Sequence, residues 1–158
     1  MLGDLKQKAN GRQIVIPLSA GLDSRLVLSG LTHLKTDNVL AFSYGHPNNF
    51  EAMIAKKIAQ KLGVEWHFVP ITSSSQRDFF KSSLHNDYIT YCHDFISTPF
   101  EQDLYPINLL LSSDVIKRDA LIVNGNSGDF ITGGHIPPNF LQHDLVVQEK
   151  VCQLHLIV

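Results

Sequence analysis

Gln13-Ile14-Val15-Ile16-Pro17-Leu18 runs directly into Ser19-Ala20-Gly21-Leu22-Asp23-Ser24, and the junction of the two stretches decides the fold. The first stretch is β-branched and nearly continuously apolar, as expected for a parallel strand covered on both faces. The second turns at a glycine and opens a segment, from about Ser24 to Leu34, that places Leu26, Val27, Leu31 and Leu34 at helical spacing, with Gly30 as a weak point. A strand, a glycine turn and a helix in that order are the first half of a βαβ unit.

Further along, Val39-Leu40-Ala41-Phe42-Ser43-Tyr44 reads as a second strand, closed by the loop residues Gly45-His46-Pro47-Asn48-Asn49. Ala52, Ala55, Ile58, Ala59 and Leu62 then form one apolar stripe, while Glu51, Lys56, Lys57, Gln60 and Lys61 lie elsewhere and Gly63 stands where a C-cap glycine belongs. A third strand from Val64 to Val69 alternates Val64, Trp66 and Phe68 with Glu65 and His67, which predicts one less buried face, and Pro70 ends it. From about Ser75 to Arg118 the pattern is helical, broken near Ser97-Thr98-Pro99 and Tyr105-Pro106. A fourth strand, Ala120-Leu121-Ile122-Val123-Asn124, enters Gly125-Asn126-Ser127-Gly128-Asp129 and repeats the plan of the first unit. The fold class is therefore α/β, an open parallel sheet with helices on both faces. Ligands of such sheets bind outside the carboxyl ends of the strands, which puts both glycine loops on the binding edge.

Composition narrows the function classes. The 158 residues suit one domain, and a hydrophobic fraction of 44% with 18% charged residues belongs to neither a disordered nor a membrane-spanning chain. Thirteen basic and 15 acidic residues give a net charge of −2, which argues against a nucleic-acid groove. No apolar run reaches about 18 residues and no signal-peptide pattern opens the chain, so the expectation is a cytoplasmic protein without a membrane partner. Cys92 and Cys152 are far apart and in no CxxC pair, which makes free thiols the default.

The first loop carries the chemistry. A loop that leaves a strand and opens a helix offers unpaired backbone N–H groups and the positive end of the helix dipole to phosphate oxygens. Gly21 lets the backbone approach an anion, and the hydroxyls of Ser19 and Ser24 can donate to the same oxygens. A carboxylate at Asp23 would repel a polyanion unless a cation lay between them, which points to Mg²⁺. The alternative for the same residues is a serine-capped helix start with Asp23 in its favourable first turn.

Ser19-Ala20-Gly21-Leu22-Asp23-Ser24-Arg25 resembles the SGGLDS loop of the ATP pyrophosphatases, and of the asparagine synthases in particular. Phe42-Ser43-Tyr44 is similar to the strand end that packs on adenine in that family, and Glu51, Ala55, Ala59 and Leu62-Gly63 match its E…A…A…LG helix. Val123 to His135 aligns with its SGEGADELFGGY segment, keeping Gly125, Asp129, Gly133 and Gly134. Departures fall at Ala20, where glycine is usual, and at Asn126 and Phe130, where the family has acidic residues.

The resemblance implies an adenine nucleotide alpha hydrolase-like, Rossmann-like fold and an ATP-dependent amide-forming synthetase. A carboxylate would be adenylated with release of pyrophosphate, and ammonia or an amine would then attack. By residue it implies nucleotide binding by Leu18, Ser19, Ala20, Gly21, Leu22, Asp23, Ser24, Phe42, Ser43, Gly125 and Asn126, with Asp23 and Asp129 as catalytic and Mg²⁺-binding groups. The expected partners are a small-molecule carboxylate and an amine donor. Leu2 stands where a glutaminase domain would need cysteine, so ammonia is expected from elsewhere. One domain spanning 1–158 is expected, lacking the later part of the family domain with its catalytic lysine. Its apolar segment Leu141 to Val158 is a candidate for self-association. Two other readings remain: a nucleotide-binding module without catalysis, favoured by Asn126 and Phe130, and an RNA-modifying ATP pyrophosphatase, disfavoured by the charge balance.

The remaining chemistry-bearing residues read mainly as structure. His46, His67, His93 and His135 show no compact ligand spacing, although His135 follows two glycines beside the second loop. Arg25 has either a phosphate fork or an exposed helix position open to it. Lys56, Lys57 and Lys61 form a solvated face, Cys92-His93 lacks an orienting acid, and Phe79, Phe80, Tyr88, Tyr91 and Phe95 read as core packing.

Overall fold

The computed structural model describes residues 2–93 and 99–125. Strands β1 (Ile14–Pro17), β2 (Val39–Gly45), β3 (Glu65–Pro70) and β4 (Leu121–Ile122) form one sheet in the order β3-β2-β1-β4. Every pairing is parallel. The central strand, β1, has both faces covered: Ile14, Val15 and Ile16 are each 0% exposed. Its side chains alternate between two cores, as a pleated strand requires. Ile14, Ile16 and Leu18 join Leu28, Leu31, Ala41, Ala55 and Ala59, whereas Val15 joins Leu40, Phe42, Val69, Leu110 and Ile116.

Helices α1 (Leu2–Ala9), α2 (Leu22–His33) and α3 (Phe50–Leu62) cover the first face, and α6 (Leu104–Ser112) contributes Leu110 to the second. Between them lie α4 (Ser73–Phe80) and α5 (Ser83–Cys92). The α/β sheet with helices on both faces is thus the observed architecture. The chain builds outward from β1 through β2 to β3 and then returns to place β4 on the other side of β1. Such a reversal of strand order opens a crevice at the carboxyl ends of the two strands that flank it.

Local chemistry sets the element ends. The Asn49 side chain accepts from the Ala52 amide at 2.7 Å to start α3, and Gly63 closes that helix in the left-handed region at φ 67°. Thr72 and Ser75 form a capping box on α4, and Ser82 caps α5. Tyr105-Pro106 does not break the chain: Pro106 sits in the first turn of α6, where its missing N–H would have had no helical partner.

Three further differences from the sequence reading have physical causes. An unanticipated helix, α1, docks through Leu2, Leu5 and Ala9, a short apolar face on an otherwise polar octapeptide. The buried stripe of α2 is Ser24, Leu28 and Leu31, while Leu26 is 69% exposed and Leu34 lies at the surface. The helix carries more leucines than one face holds, and the first loop rotates it so that Ser24 faces in. Phe79 is buried and stacks on Tyr105 at 4.7 Å, but Phe80 and Tyr91 are exposed. The segment holding Phe95 lies outside the described residues.

Leu28→Ala is expected to cost about 2–5 kcal/mol, and Leu26→Ala no more than about 0.5 kcal/mol, measured by urea unfolding. Comparable losses at both positions would put the buried face of α2 elsewhere.

Candidate functional site

The carboxyl end of β1 continues as a tightly wired loop. The Leu18 amide donates to the Phe42 carbonyl at 2.7 Å, and the Leu18 carbonyl accepts from Ser43 Oγ at 2.6 Å, so this residue extends the β1–β2 pairing. The Ser19 amide donates to Ser24 Oγ at 3.2 Å, the Gly21 amide donates to Ser19 Oγ at 3.1 Å, and the two hydroxyls lie 3.2 Å apart. Two hydroxyl protons and one bond between the hydroxyls leave one proton free for an incoming acceptor.

Neither loop residue needs a left-handed backbone. Ala20 is absent from the positive-φ positions, which explains how alanine is accommodated there. Gly21 has φ −65° and ψ 168°; its constraint is spatial, because a Cβ there would lie 3.1 Å from Ser19 Oγ. Gly21 is also the N-cap of α2 without any side-chain cap, so no side chain competes for the amides of the first turn. Leu22 projects into solvent, Ser24 is buried, and Asp23 is partly buried with no hydrogen bond or ion pair to another described residue.

Gly125, beyond the end of β4, approaches this turn backbone to backbone. A Cβ on Gly125 would lie 2.6 Å from the Ser24 amide nitrogen, 2.8 Å from the Asp23 carbonyl carbon and 3.0 Å from Asp23 Cβ. Only glycine permits that approach. The Val123 amide, donating to the Val15 carbonyl at 2.9 Å, holds the loop in place by prolonging the β1–β4 pairing. Leu18 to Ser24 and Gly125 are therefore brought together at the strand-order reversal. Asn126, Asp129, Phe130 and His135 lie outside the described residues.

The two positions on β2 are placed differently. Phe42 is 0% exposed inside the second core, so its side chain offers no surface to a ligand. The buried Ser43 hydroxyl donates to Leu18 and accepts from Trp66 Nε1 at 3.0 Å, which commits it to the scaffold. Arg25 also works inward, its Nη2 donating to the Ala20 carbonyl at 2.9 Å. Among the described residues no group of three or more His, Cys, Asp or Glu side chains could hold a metal ion, and no helix is long and apolar enough to cross a membrane. His67 instead meets Glu65 at 2.8 Å.

One pair, a half-buried tyrosine and a buried aspartate, escaped the sequence reading. Tyr44, at the end of β2, donates to Asp103 Oδ1 at 2.8 Å across 59 residues of chain. Asp103 precedes α6 without capping it. Burial pushes the Tyr44 phenol far up, aided by the carboxylate beside it. Burial also lifts the Asp103 carboxyl above its usual 3.8, against the opposing pull of the Tyr44 hydrogen bond. No local motif announces a contact of that sequence separation.

Against this geometry, the asparagine synthase profile matches residues 6–149. The chain belongs to the asparagine synthase family. Comparison with curated protein sequences returns no match. Among solved structures, the NH3-dependent NAD synthetase from Campylobacter jejuni is similar at a TM-score of 0.54 and 18% identity, over 84% of this chain and 56% of that one. The chain thus spans little more than half the length of that neighbour, and the likeness is one of fold: an adenine nucleotide alpha hydrolase-like, Rossmann-like sheet. The matched residues include the loop after β1 and Gly125.

Two expectations follow. Gly125→Ala drives a methyl group into backbone and is expected to cost about 1–3 kcal/mol in denaturant unfolding; an unchanged midpoint would refute the close approach. For Asp103, a carboxyl raised on folding contributes stability that is full below the usual 3.8 and is lost as pH climbs through its raised value. The wild-type melting temperature should therefore carry a downward component from about pH 4 upward. Asp103→Asn, which still accepts from Tyr44, should remove it; parallel pH curves for the two proteins would discharge Asp103 from that role.

Proposed function

We propose that this chain provides the ATP-binding and adenylating part of an amide-forming synthetase. A substrate carboxylate attacks the α-phosphorus of ATP, pyrophosphate leaves, and ammonia or another amine then displaces AMP from the acyl-adenylate to give the amide. The observation that carries this reading is the approach of Gly125 to the Ser24 amide in a chain of the asparagine synthase family. The loop after β1 and Gly125, from beyond β4, meet at the uncapped start of α2 beside the sheet's reversal.

The chemistry asked of these residues is positioning and charge neutralisation. The free hydroxyl proton of the Ser19–Ser24 pair and the first amides of α2 would donate to the β- and γ-phosphate oxygens, and Gly21 leaves room for them. The 3.2 Å contact between the two hydroxyls is easily exchanged for a shorter, charge-assisted one to phosphate, while Ser19 Oγ keeps accepting from the Gly21 amide. Asp23, a partly buried carboxylate with no internal partner among the described residues, fits an oxygen ligand of Mg²⁺. When bound, Mg²⁺ would neutralise charge on the leaving pyrophosphate. Asp129 is the second candidate ligand on sequence grounds. With the Phe42 side chain and the Ser43 hydroxyl committed to the interior, the adenine would be recognised by backbone groups at the end of β2.

A second reading is nucleotide binding without adenylation. Asn126 and Phe130 favour it, since neither can act as a general base or offer a full negative charge.

Titration calorimetry of MgATP into the protein and into Asp23→Ala, followed by carboxylate-dependent pyrophosphate exchange, tests the proposal. Saturable binding weakened at least about tenfold by the substitution, or about 1.4 kcal/mol, is expected together with exchange. Binding without exchange for any carboxylate would select the second reading, and a folded chain that binds no MgATP would overturn both.

A further inference from the structure

The peptide joining Ala20 to Gly21 is held from both edges. Its carbonyl oxygen accepts from Arg25 Nη2 at 2.9 Å, and its N–H donates to Ser19 Oγ at 3.1 Å. A planar trans peptide points these groups in opposite directions, so Arg25 and Ser19 grip one rigid plate. Nothing in the local backbone fixes the plate unaided. Ala20 does not occupy the left-handed region, and the following residue is a glycine, which accepts the inverted peptide orientation at little steric cost. Inversion would take the Gly21 N–H from Ser19 Oγ and turn a carbonyl oxygen, a partial negative charge, toward the Ser19 and Ser24 hydroxyls.

The arginine's placement is hard to explain as a stability device. Its side chain is partly buried, yet Nε is buried with no hydrogen-bond partner among the described residues, an arrangement that by itself costs stability. A guanidinium kept in such a place is better accounted for by what its other nitrogen does to the loop.

We propose that Arg25 is a positioning residue for polyphosphate: by holding the Ala20 carbonyl it keeps the 20–21 peptide in the one orientation that leaves the loop open to an anion. The inference rests on the nucleotide reading given above. Arg25 acts through the backbone and through Ser19, without touching the nucleotide, so it should matter for ligands that carry β- and γ-phosphates and not for those that lack them.

The test is calorimetric titration of MgATP and of AMP into wild type, Arg25→Met, Ser19→Ala and the double variant. Arg25→Met is expected to weaken MgATP roughly tenfold to a hundredfold, the range of one charge-assisted hydrogen bond, and AMP less than about threefold. Because Arg25 and Ser19 hold the same plate, the double variant should lose less than the product of the two single losses. Arg25→Lys, which retains one donor, should show an intermediate loss of MgATP affinity and supplies the same comparison if Arg25→Met does not fold. Equal weakening of MgATP and AMP, or multiplicative losses in the double variant, would overturn the inference. Wild type that binds MgATP beside an unaffected Arg25→Met would overturn it alone, whereas wild type that binds no MgATP would overturn the nucleotide reading as well.

Discussion

The site depends on one steric constraint: at Gly125 the chain passes so near the Ser24 amide that a single methyl group would collide with backbone. Such contact needs two strands whose exits are held in register, and that is what the flanking pairings do. Ile14 faces Leu121 and Val15 faces Ile122 in the β1–β4 ladder, while Ile14 to Pro17 face Val39 to Phe42 in the β1–β2 ladder. Because Ile14, Val15 and Ile16 are packed from both sides, β1 has no freedom to slide. The placement of the loop's ends is thus inherited from the core.

Most of the sheet was legible in the sequence, because both-face burial leaves an unmistakable imprint. Gln13 to Leu18 and Val39 to Tyr44 read as strands since no polar residue interrupts them until their ends, and Gly63 read as a helix stop because its position demands φ 67°. The failures share another cause. Helix α2 carries leucines on several faces, and the buried face is the one that Leu28 and Leu31 share with Ser24, which is hydrogen-bonded to the loop. Pro106 looked like a break because proline's effect depends on where in a helix it falls, and here it falls in the first turn of α6.

In the candidate site the legible part was the motif, and the illegible part was which atoms the motif leaves free. Ser43 looks available as a residue, yet its hydroxyl is spent on Leu18 and Trp66, the latter 23 residues away in the chain. Arg25 looks like a phosphate ligand and instead holds a carbonyl. Spacing identifies residue types near a ligand but cannot allot hydrogen bonds, since these depend on partners brought close only by the fold.

The lengths of these bonds divide the loop into two sets. Every bond within it among Ser19, Gly21 and Ser24 is 3.1 or 3.2 Å long, at the weak end for neutral groups. The bonds that fix its frame, from Leu18 to Phe42 and from Ser43 to Leu18, are 2.7 and 2.6 Å. An acceptor that took the free hydroxyl proton would compete only with the Ser19–Ser24 hydroxyl contact. The rearrangement would stay within two hydroxyl rotors and leave the short bonds intact, so that little of any attraction for an anion would be spent on moving the backbone.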